Sequence, residues 1–230
     1  MTVSTELPVQ NAAGSGPLSG PLSGPRSSPL SGWTARFAAA SATPTQFAIR
    51  EQPFLTQINL RGDSANAAFG AGIRGVLGCD LPMAANTWTG TADGQVIWLG
   101  PDEWLVVAAD GRHESLVPAL RAALGGMHHA ITDVSANRTT IEISGDEARL
   151  VLAKGCTLDL HAESFGPHKA AQTLLAKSQV ILQGMGAPSA FRLYVRNSFA
   201  HYLATWLTGA AAECAASRKL DADRITSRLG

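Results

Sequence analysis

Alternation of apolar and polar positions marks two places where the chain reads as one module written twice. Residues 54–60 alternate as a half-buried strand does, run into Arg61-Gly62-Asp63 and pass into an Ala-rich helical stretch over 64–77. Residues 139–143 alternate in the same way, run into Ser144-Gly145-Asp146 and pass into a helical stretch over 147–154. The two Gly-Asp pairs lie 83 residues apart, and the copies agree beyond them. Leu77-Gly78-Cys79-Asp80-Leu81 is echoed by Lys154-Gly155-Cys156-Thr157-Leu158-Asp159-Leu160. Each copy then supplies two further strands and a closing helix. These fall at 95–99, 104–108 and 115–124 in the first copy, and at 173–182, 191–195 and 199–212 in the second.

Glycine permits the sharp bend from strand to helix. The aspartate after it is expected to cap the first-turn amides, worth about 1 kcal/mol. The glycine following each helix reads as a C-cap. Two β-α-β-β-α units in succession predict an α+β fold of duplicated modules, with ferredoxin-like antiparallel sheets and helices on one side. Residues 1–45 are expected to be a disordered tail, since Gly16 to Pro25 repeats a Gly-Pro-Leu-Ser unit that buries too little apolar area to offset its ordering entropy. Residues 46–213 are expected to form a single duplicated domain, and 214–230 a charged C-terminal tail.

Composition narrows the function. Hydrophobic residues make up 45% of the 230 and charged residues 16%, enough apolar material for a large core and a sparsely charged surface. Lys plus Arg equals Asp plus Glu at 18 each, with no basic stripe, which argues against nucleic acid. No apolar run approaches the ~20 residues of a membrane span, and the N-terminus lacks the pattern of a secretory signal. Three widely spaced cysteines exclude a disulfide framework or a CxxC zinc site, so a cytoplasmic location is expected.

The motifs that suggest chemistry have plainer readings. Gly70-Ala71-Gly72-Ile73-Arg74-Gly75 matches G-x-G-x-x-G, but these glycines fall inside or at the end of the helix, away from its N-terminus. Arg61-Gly62-Asp63 and the sequon Asn137-Arg138-Thr139 have no extracellular setting to act in. His128 and His129 point to opposite faces of any strand, and His161 and His168 straddle a turn with no third ligand at metal spacing. Asp102 and Glu103 sit in a turn between two apolar strands. Cys79 and Cys156 occupy matching places, and only Lys154 offers Cys156 an activating charge. No catalytic, cofactor-binding or metal-ligating residue is therefore assigned.

Four stretches in register carry a resemblance. They are Leu99-Gly100-Pro101-Asp102-Glu103-Trp104-Leu105, Asp133-Val134-Ser135-Ala136-Asn137-Arg138-Thr139, Gly145-Asp146-Glu147-Ala148-Arg149 with Leu152-Ala153-Lys154-Gly155, and Arg196-Asn197-Ser198-Phe199-Ala200. Together they resemble the gamma subunit of heterotetrameric sarcosine oxidase, from about Phe47 to about Ala212. The resemblance implies a fold like the folate-binding domain of the glycine-cleavage aminomethyltransferase, and an assembly with alpha, beta and delta subunits. It implies an accessory, non-catalytic role in oxidising sarcosine to glycine and hydrogen peroxide, with the one-carbon unit passed to tetrahydrofolate. FAD, FMN, NAD and tetrahydrofolate are expected on the other subunits and none on this chain. A free-standing folate-binding protein or aminomethyl transferase is the alternative, as is a scaffold in another complex. Lys154-Gly155-Cys156 begins the signature of folate-dependent iron–sulfur maintenance proteins, but Thr157-Leu158-Asp159-Leu160 departs from its continuation.

Overall fold

The computed structural model describes residues 26–41, 45–91, 93–185 and 189–229, with side chains described as far as Leu220. The first half runs α1 (Thr34–Ala40), β1 (Ala48–Gln52), β2 (Thr56–Gly62), α2 (Ala67–Leu77), β3 (Trp88–Gly90), β4 (Gly94–Gly100), β5 (Glu103–Ala108) and α3 (His113–Leu124). The second runs β6 (His129–Asp133), β7 (Arg138–Ser144), α4 (Ala148–Ala153), β8 (Ala170–Leu175), β9 (Ser178–Gly184) and β10 (Ala190–Arg196). A 3-10 turn (Asn197–Phe199) then leads into α5 (Ala200–Leu229).

The strands form two five-stranded sheets, in the orders β6-β2-β5-β4-β3 and β1-β7-β10-β9-β8, and every pairing between neighbours is antiparallel. Overlaying the copies matches these orders strand for strand. The leading strand of each copy, however, lies in the sheet of the other. β1 pairs with β7, setting Ile49 opposite Ile143, and β6 pairs with β2, setting Ile131 opposite Leu60.

Each sheet has two buried faces. On the first, Ile58, Leu60, Trp104 and Val106 pack beneath α2 and α3 through Phe69, Ile73, Leu116 and Leu120. On the second, Ile141, Ile143, Leu193 and Val195 pack beneath α1, α4 and α5 through Phe37, Val151, Leu152, Leu203 and Leu207. The alternate residues Leu105 and Val107 of β5 meet Ile181 and Tyr194 of the second sheet in a third cluster between the sheets. The order of layers is helices, sheet, sheet, helices. The α+β class and antiparallel sheets predicted from the repeat are borne out.

Several boundaries move. Residues 26–41, expected in the tail, include α1 and place Leu30, Trp33 and Phe37 in the core, while Ser28 Oγ donates to Glu51 Oε2 at 2.6 Å. The Gly-Pro-Leu-Ser repeat lies outside the described residues. The segment expected as a separate tail from 214 continues α5; Cys214 is buried and Arg218 pairs with Glu147 at 3.1 Å. The single strand expected over 173–182 is a hairpin of β8 and β9, turning at Ala176 with φ of 53°.

The capping expectation also changes. Asp63 Oδ1 accepts from the Ala65 amide at 2.9 Å, and it is Asn66 that caps α2, accepting from the Ala68 amide at 3.0 Å. Helix α4 has no side-chain cap, and the Asp146 amide donates to the Thr45 carbonyl at 2.9 Å. Gly78 is the left-handed C-cap foreseen for α2. Gly155 instead lies under the Trp206 ring, which a methyl group there would meet at 2.5 Å.

Candidate functional site

The candidate motifs are dispersed and engaged. Gly70, Gly72 and Gly75 lie within α2, and Gly72 lets α3 approach, since a Cβ there would stand 3.2 Å from the Ala123 carbonyl. Arg61 pairs with Asp102 at 2.7 Å, and Glu103 accepts from Asn59 Nδ2 at 2.7 Å, so the β4–β5 turn is tied to β2. The His129 ring lies 2.8 Å from the Met127 carbonyl, and the His168 ring packs on Trp88 at 5.1 Å. Among the described residues, no three His, Cys, Asp or Glu side chains are grouped to hold a metal.

Lys154 turns away from Cys156 to pair with Glu213 of α5 at 2.7 Å. The charge proposed to activate Cys156 is therefore spent on a different element. Burial pushes the Cys79 thiol up, away from thiolate character.

A connected polar network lies between the sheets. Tyr194 OH donates to Gln183 Oε1 at 2.7 Å, and Gln183 Nε2 donates to Gln95 Oε1 at 3.0 Å, joining second sheet to first. Arg192 Nη1 reaches the same Gln95 oxygen at 3.1 Å, while its Nε donates to Glu142 Oε1 at 2.6 Å. Gln52 Nε2 and Arg50 Nε complete the carboxylate at 3.1 and 2.7 Å. Burial drives the Tyr194 phenol far up, so it stays protonated and keeps the proton it donates to Gln183. Burial also pushes the Glu142 carboxyl up, but the hydrogen bonds from Arg192, Gln52 and Arg50 and the charge of Arg192 outweigh it and hold the pKa down. This seam orients groups; it holds no base poised near neutrality.

That balance has a measurable sign. With a folded pKa below the ordinary 4.5, Glu142 contributes stability above that value and loses it as pH falls through the depressed one. Glu142→Gln is expected to cost roughly 1–3 kcal/mol at pH 7. Thermal unfolding of both proteins should show the gap narrowing below pH 4.5. A gap that widens in acid would contradict the arrangement.

Two clefts flank Arg138. The larger, about 520 Å³, is bordered by Phe54, Asp133, Ser135 and Thr139, whose polar groups bind within the protein: Ser135 Oγ to Asp133 Oδ1 at 2.5 Å and Thr139 Oγ1 to Glu51 Oε1 at 2.6 Å. The smaller, about 290 Å³, is lined by Arg138, Gln172, Leu174, Gln179, Tyr194 and Arg196. Sequence reasoning missed the Arg138–Arg196 juxtaposition, because only the β7–β10 register brings these residues together.

Two exchanged copies facing each other through their sheets define a fold class. The glycine cleavage system aminomethyltransferase T from Bartonella henselae shares it, with a TM-score of 0.55 at 15% identity over 72% of this chain and 47% of that one. Within that class the match is much closer to one group. Residues 61–213 match the model of the sarcosine oxidase, gamma subunit family, and the chain belongs to that family. It is 38% identical to the sarcosine oxidase subunit gamma of Arthrobacter sp over 182 residues, covering 79% of this chain and 88% of the relative. Identity to the Corynebacterium sp. (strain P-1) subunit gamma is 37% with the same coverage. A chain of the heterotetrameric sarcosine oxidase from Corynebacterium sp. U-96, solved with pyrrole 2-carboxylate, superposes with a TM-score of 0.75 at 35% identity, over 82% of this chain and 95% of that one. The resemblance carried by the four motifs is borne out.

Proposed function

We propose that this gamma subunit is an accessory, non-catalytic member of a cytoplasmic heterotetramer with alpha, beta and delta subunits. The complex oxidatively demethylates sarcosine to glycine and hydrogen peroxide and passes the one-carbon unit to tetrahydrofolate. FAD, FMN, NAD and tetrahydrofolate sit on the other subunits, and no residue of this chain touches a reacting atom. The observation that carries the reading is the superposition on 95% of a chain taken from a heterotetrameric sarcosine oxidase. The dispersal of the candidate chemical groups supports it, as does the absence, among the described residues, of any helix long and apolar enough to cross a membrane.

The surface suits docking. Phe199 in the 3-10 turn and Tyr202 at the start of α5 are exposed, Trp206 is half-buried one turn on, and Leu174 is exposed on the edge strand β8. Trp33, Trp88 and Trp104 are core residues, so only Trp98 and Trp206 of the five tryptophans offer surface to a partner. Obligate interfaces commonly bury ~2,000 Å² or more.

Co-expression of a tagged copy with candidate alpha, beta and delta chains should recover a flavin-coloured, sarcosine-oxidising complex with one copy of each. The chain purified alone should be colourless and inactive. Tyr202→Asp should reduce recovery of the larger chains about tenfold while changing the free chain's stability by less than about 1 kcal/mol. A flavin spectrum from the isolated chain would sink the proposal. Tight calorimetric binding of tetrahydrofolate by the isolated chain would favour a free-standing folate protein instead.

A further inference from the structure

One face of the β7–β10 pair presents three residue pairs in succession: Glu142 with Arg192, Thr140 with Tyr194, and Arg138 with Arg196. The first is an ion pair at 2.6 Å, and the second lies against the opposing sheet. The third sets two arginines directly opposite each other in the register. Like charges at facing positions of an antiparallel pair destabilise it, because their Cβ atoms lie only ~5 Å apart.

Among the described residues the charge of Glu103 partly offsets that repulsion at Arg138, but no ion pair neutralises either arginine. The other two arginines of this sheet, Arg50 and Arg192, both reach Glu142 at the far end of the strands. Among the described residues, no carboxylate lies within ion-pair distance of Arg138 or Arg196. Glu103 acts on Arg138 through its charge alone, its carboxylate being held by Asn59. Gln172, on the same wall, already donates to the Leu99 carbonyl at 3.0 Å. Arg138 is half-buried, and burial followed by the charge of Arg196 lowers its proton affinity.

Both guanidinium groups line the pocket of about 290 Å³, whose apolar wall includes exposed Leu174, and Arg196 leads directly into the turn that carries exposed Phe199. A paired donor fork beside apolar side chains suits a carboxylate delivered on a protein segment. We infer that Arg138 and Arg196 form a carboxylate-binding site, occupied in the assembly by an acidic side chain of a partner subunit. The identity of the occupant rests on the assembly proposed above; the carboxylate chemistry does not.

The test uses the full chain, free and co-expressed with the larger chains, as wild type, Arg138→Gln, Arg196→Gln and the double variant. In the free chain each substitution removes the repulsion and should raise Tm by about 1–3 °C. In co-expression each should lower recovery of partner chains about tenfold, and the double variant should lose little more. Variants that lower the free chain's Tm, or that recover partners at the wild-type level, overturn the proposal. Wild-type Tm that rises in sodium acetate against sodium chloride at equal ionic strength, absent in the double variant and with partner recovery intact, would overturn the partner as occupant in favour of a small free carboxylate. Failure of the wild type itself to recover any partner would overturn the assembly, leaving the Tm comparisons to judge the site.

Discussion

Severed between α3 and β6, into residues 1–126 and 127–230, the chain is expected to give two fragments that do not fold apart but regain structure when mixed. Neither fragment contains a whole sheet, because β1 belongs with β7 and β6 with β2. The first fragment would expose Leu30, Trp33, Phe37 and Ile49, all of which pack in the core built by the second. At roughly 1.5–3 kcal/mol for each buried side chain, that loss is comparable to the 5–15 kcal/mol by which whole domains are stable. Circular dichroism of each fragment alone, then of the equimolar mixture, measures it. A cooperatively melting fragment would show that the exchanged strands are dispensable.

Gly145→Ala should be among the most damaging single-methyl changes at the described residues, at about 3 kcal/mol or more. Gly145 has φ of 106°, where side chains are strained, and a Cβ there would lie 2.5 Å from the Gln46 carbonyl oxygen. Its counterpart Gly62 has no such backbone demand; its methyl would run into the Phe69 ring, a side chain rather than fixed backbone. Gly62→Ala should therefore cost less, roughly 1–3 kcal/mol. Denaturant melts of the two variants compare them directly. Equal losses would mean that both glycines serve packing alone.

The repeat was legible because its Gly-Asp turns sit between strands and helices of opposite periodicity, and both turns are where they were expected. The roles of the aspartates were not legible. Asn66, three residues after Asp63, takes the cap because α2 starts later than its apolar pattern suggests. The exchanged strands were invisible for a physical reason: β1 and β6 are edge strands with one buried residue each, Ile49 and Ile131, too little for a period to register. The β8–β9 turn was hidden because Ala176 and Lys177 stand where glycine or asparagine would announce it. Trp33 and Phe37 were hidden by a neighbourhood rich in Gly, Pro and Ser. Arg138 and Arg196 are 58 residues apart, and their meeting requires the register of two strands that pattern alone does not align.

The crossed leading strands also make each half dependent on the other. A half-length chain of this pattern would have to lend its first strand to a second copy and borrow one in return, so its folded form would be a strand-swapped homodimer. With both halves on one chain, that concentration-dependent encounter becomes an intramolecular one at millimolar effective concentration. Freed from identity, the two halves could diverge, and only the second carries the facing arginines.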